Sequence, residues 1–170
     1  MKKSQKLSVV RALYMPTLAD TMLDSLMKSS AGKSASTKAA LVVFGTLLLA
    51  ISAQFKIPLY PVPITGQTLV VLLIGMTFGP RLGGITMAAY LFEGALGLPV
   101  FAGTPEKGIG IVYMMGPTGG YLIGFILSVF IAGFVDLNKN IYIKFLLISS
   151  AVCAIYLTGV PWLAYLAGWE

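Results

Sequence analysis

Histidine is absent from the 170 residues, so neither a catalytic base nor a metal centre of this chain rests on imidazole. The single cysteine, Cys153, sits inside an apolar run, which leaves no internal disulfide and no thiolate metal site. Only six side chains are acidic. They are scattered, with no pair at the spacing of a glycosidase or of a metal site. No Gly-x-x-x-x-Gly-Lys-Ser/Thr run occurs, so the chain carries no nucleotide-driven motor of its own. A lone carboxylate, Glu93, is weak support for chemistry. The expectation is a protein that is not an enzyme and uses neither cofactor nor metal.

Charge of either sign is scarce. Charged residues make up 11% of the chain and hydrophobic ones 57%, with a mean hydropathy of +0.88. A soluble domain has about 25% charged residues. So few charges cannot cover a water-facing surface, and the class expected is an all-α, polytopic transmembrane helix bundle of about five spans. The net charge of +6 does not point to nucleic acid. Seven of the twelve basic residues precede the first apolar span (Lys2, Lys3, Lys6, Arg11, Lys28, Lys33, Lys38), the pattern of a cytoplasmic tail beside anionic membrane lipid.

Two regions follow from this. Residues 1–38 form a basic cytoplasmic extension, either an interfacial helix built on the amphipathic stretch from Leu7 to Met27 or a dispensable tail. Residues 39–170 form the transmembrane domain. Its expected spans are Ala39 to about Phe55, Gln67–Phe78, Leu82–Leu98, Pro117 to about Val135, and Ile141–Thr158. Residues 56–67 hold Pro58, Pro61 and Pro63 and cannot be helical. Gly79-Pro80-Arg81-Leu82-Gly83-Gly84 reads as a tight turn, and Gly159-Val160-Pro161-Trp162 as a kink or helix end. Trp162, Tyr165 and Trp169 read as an interfacial belt. Ten basic residues fall in segments 1–38, 79–82 and 136–144, and only Lys56 and Lys107 in 56–67 and 99–116. That bias puts the N-terminus in the cytoplasm and the two Pro/Gly-rich loops outside the cell membrane.

The candidate site lies between Tyr60 and Tyr121. The breaks there bring Thr65, Gln67, Tyr90, Glu93, Phe101, Thr118 and Tyr121 together, a few donors and acceptors amid apolar surface, as small-ligand pockets are built. An amide and hydroxyls suit a neutral ureido or amide head, and an apolar lining suits an alkyl chain. The other reading is that these residues only seal helix ends. At the centre of a bilayer the Glu93 carboxylate costs about 2.5–3.5 kcal/mol, which favours the protein interior over an interfacial position. Gly116, Gly120 and Gly124 form a small-residue ridge for close helix packing or for a ligand. Thr46 and Ala50 form a shorter one on the first span.

Four motifs carry a resemblance: Pro61-Val62-Pro63-Ile64-Thr65-x-Gln67-Thr68; Gly79-Pro80-Arg81-Leu82-Gly83; Tyr90-Leu91-x-x-Gly94-Ala95-x-Gly97-Leu98-Pro99-Val100-Phe101-Ala102; and Gly116-Pro117-Thr118-Gly119-Gly120-Tyr121-Leu122-x-Gly124-Phe125. In this order and spacing they are similar to the biotin-transporter S components, the BioY family, over about residues 39–169. The resemblance implies biotin captured on the outer side, with uptake driven by a separate transmembrane coupling subunit and two ATPases. Some members are thought to work without that module, which leaves self-association open. It also implies that Thr46 and Ala50 dock the coupling subunit, although an alanine pair is the usual pattern. The family continues into a sixth helix that opens with an Asp and a nearby Lys expected to help hold the ligand. Nothing follows Glu170 here, so the expectation is a shortened member with weakened capture. The alternatives are a truncated, weakly functional or non-functional product, or an S component for another small vitamin.

Overall fold

The computed structural model describes residues 33–103, 108–136, 138 and 140–168. The amphipathic stretch ahead of residue 33, loop residues 104–107 and Trp169 lie outside these. The elements in chain order are α1 (Lys33–Gln54), β1 (Lys56–Ile57), β2 (Ile64–Thr65), α2 (Gln67–Ala95), α3 (Ile111–Met114), α4 (Gly119–Ala132) and α5 (Ile141–Ala167). Three of them, α1 from Ala35, α2 and α5, are long and apolar enough to cross a membrane. The protein is a membrane protein, and its backbone polar groups must therefore be satisfied within its own helices.

The 29 residues of α2 do not form one rod. Gly79 has φ 74° and ψ 176° inside it, a conformation that glycine reaches without a steric penalty. The next residue is Pro80, which cannot donate to the preceding turn. The chain folds back there: a β-carbon on Gly83 would lie 3.6 Å from the Gly75 Cα, two positions about 12 Å apart in a straight helix. The expected turn at Gly79-Pro80 is therefore present, and α2 is a hairpin of two arms. Across its middle sit α4 and the glycines that admit it. A β-carbon on Gly75 would press on Ala132 and the Val129 carbonyl at 2.7 Å.

Helix α4 also packs on α5. On Gly124 a β-carbon would lie 2.6 Å from the Ile155 Cα, and Gly120 meets Trp162 and the Thr158 carbonyl. The Gly120/Gly124 ridge thus serves helix contact, without a side chain between the backbones. Helix α1 reaches the second arm of α2 at Gly45, which sits against the Thr86 methyl group. Leu49, Val71, Ile74, Met87, Val129 and Ile155 make the core between the passes.

Several boundaries differ from expectation. Helix α1 starts at Lys33, ahead of Ala39. The second arm of α2 ends at Ala95, short of Leu98, before Gly97 at φ 94°. The fourth pass covers Gly119–Ala132 only. Helix α5 runs through Gly159-Val160-Pro161-Trp162 without a break and ends at Gly168, in the left-handed conformation. Packing overrides Pro161 here: Tyr121 covers Gly159, and the Trp162 Nε1 donates to the Gly116 carbonyl at 2.9 Å. Of the 56–67 segment, expected to be non-helical, residues 56–65 are a hairpin in which Lys56 pairs with Thr65 and Ile57 with Ile64, while Gln67 already opens α2.

The two arms of α2 and helix α4 span only about 18, 24 and 21 Å at 1.5 Å per residue, less than a hydrocarbon core of about 30 Å. At one end of the bundle the shortfall is filled by the Gly79-Pro80 turn, on which Gly133 rests. At the other end it is filled by the β1–β2 hairpin and residues 96–103 and 108–118, and there the bundle opens.

Candidate ligand cavity

Five helical passes in alternating directions bring the ends of α1, α2 and α5 and the start of α4 to this face. Between them is a cavity of about 140 Å³ that opens at its mouth to solvent. The hairpin contributes Val62, Pro63, Ile64 and Thr65. The start of α2 gives Gln67 and Thr68, residues 96–103 and 108–118 give Phe101, Ala102, Tyr113 and Thr118, and α4 and α5 give Tyr121, Leu122, Phe125, Ile155 and Tyr156. No charged side chain lines it among the described residues.

One wall is polar and internally wired. The Thr65 hydroxyl donates to Gln67 Oε1 at 3.2 Å. Gln67 Nε2 donates to the Tyr90 hydroxyl at 2.8 Å, and that hydroxyl donates to the Val100 carbonyl at 2.9 Å. Gln67 opens α2, the position whose amide is least bound by the helix, and Tyr90 comes from the returning arm. The fold-back at Gly79 is what makes this pair neighbours.

Below it lies an aromatic stack. Phe101 meets Tyr90 edge-on with centroids 5.5 Å apart and an 86° interplanar angle, and it stacks on Tyr113 at 4.9 Å and 16°. Such geometries are worth about 0.5–1.5 kcal/mol beyond burial. The Tyr113 hydroxyl donates to the Ala102 carbonyl at 2.7 Å. Burial pushes the Tyr113 phenol above its ordinary range, and a hydrogen bond with Thr118 draws it partly back. Tyr113 therefore stays a neutral donor at neutral pH. Opposite, Tyr121 meets Tyr156 at 6.2 Å, edge to face.

Of the seven residues singled out from the sequence, Thr65, Gln67, Phe101, Thr118 and Tyr121 line the cavity. Tyr90 is fully buried behind Gln67. Glu93 is half-buried on the same arm and does not line the cavity. Thr46 is 2% exposed, donates to the Val43 carbonyl and points into the bundle, with Ala50 half-buried against the core. The open face of α1 is instead Val43, Leu47 and Ile51, each 56% exposed. The few polar residues of α1 do not gather on one side to mark which face turns outward, so the Thr46/Ala50 spacing did not reveal its direction. Tyr113, Ile155 and Tyr156 were missed. Tyr113 follows a glycine-rich stretch in a loop, and Tyr156 stands mid-span on α5, so only tertiary packing brings them to the ligand end.

A family model described as the BioY family matches residues 23–170. A protein of Pyrococcus horikoshii named "Probable biotin transporter BioY" is 39% identical over 131 residues, 77% of this chain and 76% of that one. "Biotin transporter BioY" of Thermotoga maritima is 42% identical over 118 residues, covering 68% and 67%. The Rickettsia prowazekii protein named "Probable biotin transporter BioY" is 35% identical, with 75% of this chain matched to 65% of that one. Among solved structures, the S-component for biotin from an ECF-type ABC transporter superposes with a TM-score of 0.71 at 24% identity, over 84% of this chain and 79% of that chain. At that identity the likeness shows the shared fold.

Proposed function

The chain belongs to the BioY family, and from that membership and the lining of its cavity we propose that it is the substrate-binding membrane component of a biotin uptake transporter. The observation that carries the reading is a single cavity with one hydrogen-bonding wall, Thr65 and Gln67, and one apolar wall, Leu122, Phe125 and Ile155. Biotin has the matching halves: a neutral ureido ring that both donates and accepts, and an aliphatic valeryl chain. An uncharged wall suits a head group without charge, since burying an unpaired ion is costly. The carboxylate lies toward the open mouth, where water solvates it.

Thr65, Gln67 and Thr118 make the polar contacts, and Phe101 and Tyr121 enclose the ring system. The role is capture and transport, not catalysis. The protein sits in the cell membrane with its N-terminus in the cytoplasm, and the cavity opens outside. Family membership implies that energy comes from a transmembrane coupling subunit with ATPases, in keeping with the ECF-type ABC transporter to which the structural neighbour belongs. The coupling subunit meets α1 along Val43, Leu47 and Ile51, the side turned away from the bundle.

Binding of labelled biotin to the purified full-length chain in detergent tests this. Gln67→Leu removes a donor and an acceptor and is expected to weaken binding at least tenfold, about 1.4 kcal/mol. Saturable binding that the leucine variant leaves untouched would remove Gln67 from the site. No saturable binding by the parent chain would end the biotin reading.

A further inference from the structure

Tyr90 does not touch the cavity, yet it controls what the cavity offers. Its hydroxyl has one proton, and that proton is given to the Val100 carbonyl at 2.9 Å. The same oxygen can therefore only accept from Gln67, at 2.8 Å. Of the two ends of a carboxamide, only the nitrogen donates. The amide orientation is thus dictated by the chain of donors. At the other end the Thr65 hydroxyl donates to Oε1, in agreement. Among the described residues nothing else takes up the second Nε2 hydrogen or the second lone pair of Oε1. Gln67 is 4% exposed and lines the cavity, so these two valences are what a ligand meets.

We infer that Tyr90 is a positioning residue that locks the Gln67 carboxamide with one N–H and one carbonyl lone pair turned to the ligand, and thereby selects a cyclic ureido or lactam edge over a cationic guanidino edge. This rests on the biotin reading above. A ureido edge supplies the acceptor and donor that a locked amide requires. A guanidinium edge supplies donors only and leaves the Nε2 hydrogen buried without a partner. Sites built around a specific hydrogen bond reject analogues lacking the partner far more strongly than apolar pockets reject a missing methylene.

The test measures binding of biotin and of 2-iminobiotin, whose ring carbonyl is replaced by a protonated imino group, to the full-length protein in detergent. The parent chain is expected to favour biotin at least thirtyfold. In Tyr90→Phe the amide is free to turn its oxygen to the ligand, and the biotin preference is expected to shrink at least fivefold. A purely structural loss would weaken both ligands alike, so an unchanged ratio in a folded Tyr90→Phe overturns the lock while leaving the biotin reading intact. Should Tyr90→Phe fail to fold, Gln67→Glu decides: two carboxylate oxygens that cannot donate are expected to reverse the preference toward 2-iminobiotin, and a retained preference for biotin overturns the inference. A parent chain that binds biotin but does not distinguish the two ligands also overturns it. One that binds neither overturns both this and the reading it rests on.

Discussion

The tip of the Phe101 ring rests on Gly94, so near that a β-carbon on the glycine would overlap it. Phe101 is 1% exposed and is the member of the aromatic stack that touches both Tyr90 and Tyr113. Gly94 therefore sets how deep the cavity wall sits. Gly94→Ala forces the ring outward, and overpacking of this kind costs about 1–3 kcal/mol. The expected result is a lower melting temperature in detergent and biotin affinity reduced more than tenfold. An alanine variant with unchanged affinity would show that Phe101 has room to retreat elsewhere.

Tyr113 offers a different lever, because its ring and its hydroxyl do separate things. Tyr113→Phe keeps the stack on Phe101 but leaves the Ala102 carbonyl without its 2.7 Å donor. A buried polar group stripped of its partner costs about 1–3 kcal/mol. The phenol is held above its ordinary value by burial, so the folded protein binds that proton more tightly than the unfolded chain does. The stability this contributes is complete below about pH 10, the ordinary tyrosine value, and is lost as pH rises beyond it. Ligand binding is expected to stay level from pH 6 to 9 and to fall above 10. Phenylalanine at 113 should lower affinity throughout and flatten the Tyr113 share of the alkaline fall. A titration curve of the variant that matches the parent assigns that fall to other groups.

How much of this was legible depended on backbone rules more than on side chains. Pro58, Pro61 and Pro63 excluded a helix, and residues 56–65 are a hairpin. Gly79 followed by Pro80 announced the fold-back, since glycine frees φ and proline removes a donor. Thr65, Gln67, Phe101, Thr118 and Tyr121 stood beside such breaks, and the cavity forms where the breaks converge. What stayed hidden was direction within helices. Thr46 turns inward and Val43 outward, yet both sit in a run of uniform hydropathy. Pro161 looked like a kink or an end, but the helix continues past it, with the Trp162–Gly116 hydrogen bond and the Tyr121 ring over Gly159 packed on that turn. These are long-range contacts, invisible to local spacing.

Ser128 is fully buried on α4, and its hydroxyl is the buried side-chain oxygen that finds no partner among the described residues. An unpaired hydroxyl in an apolar interior is a net cost of about 1–3 kcal/mol. Ser128→Ala removes the oxygen and little volume, so it is expected to raise the melting temperature by a few degrees and leave biotin affinity unchanged. Gly124→Ala, one turn earlier on the same helix, should act oppositely: its β-carbon would sit 2.6 Å from the Ile155 Cα, and the α4–α5 contact would have to open. The pair of melting curves separates packing from polarity on one helix, and a lower melting point for Ser128→Ala would mean that the hydroxyl has a partner in the membrane.

Cys153 gives a direct reading of membrane depth. It is the chain's one cysteine, exposed on the outside of the bundle and close to the midpoint of α5, Ile141–Ala167. At 1.5 Å per residue the helix extends about 18–21 Å on either side of it, so a bilayer of about 30 Å covers the thiol from both directions. A thiol reacts as thiolate, and a charged maleimide must also reach it through hydrocarbon. In intact membranes Cys153 is therefore expected to resist a membrane-impermeant maleimide added to either side, and to react fully once detergent and denaturant expose it. Labelling in native membranes at the rate of a free thiol would place the middle of α5 in water and undo the five-pass arrangement.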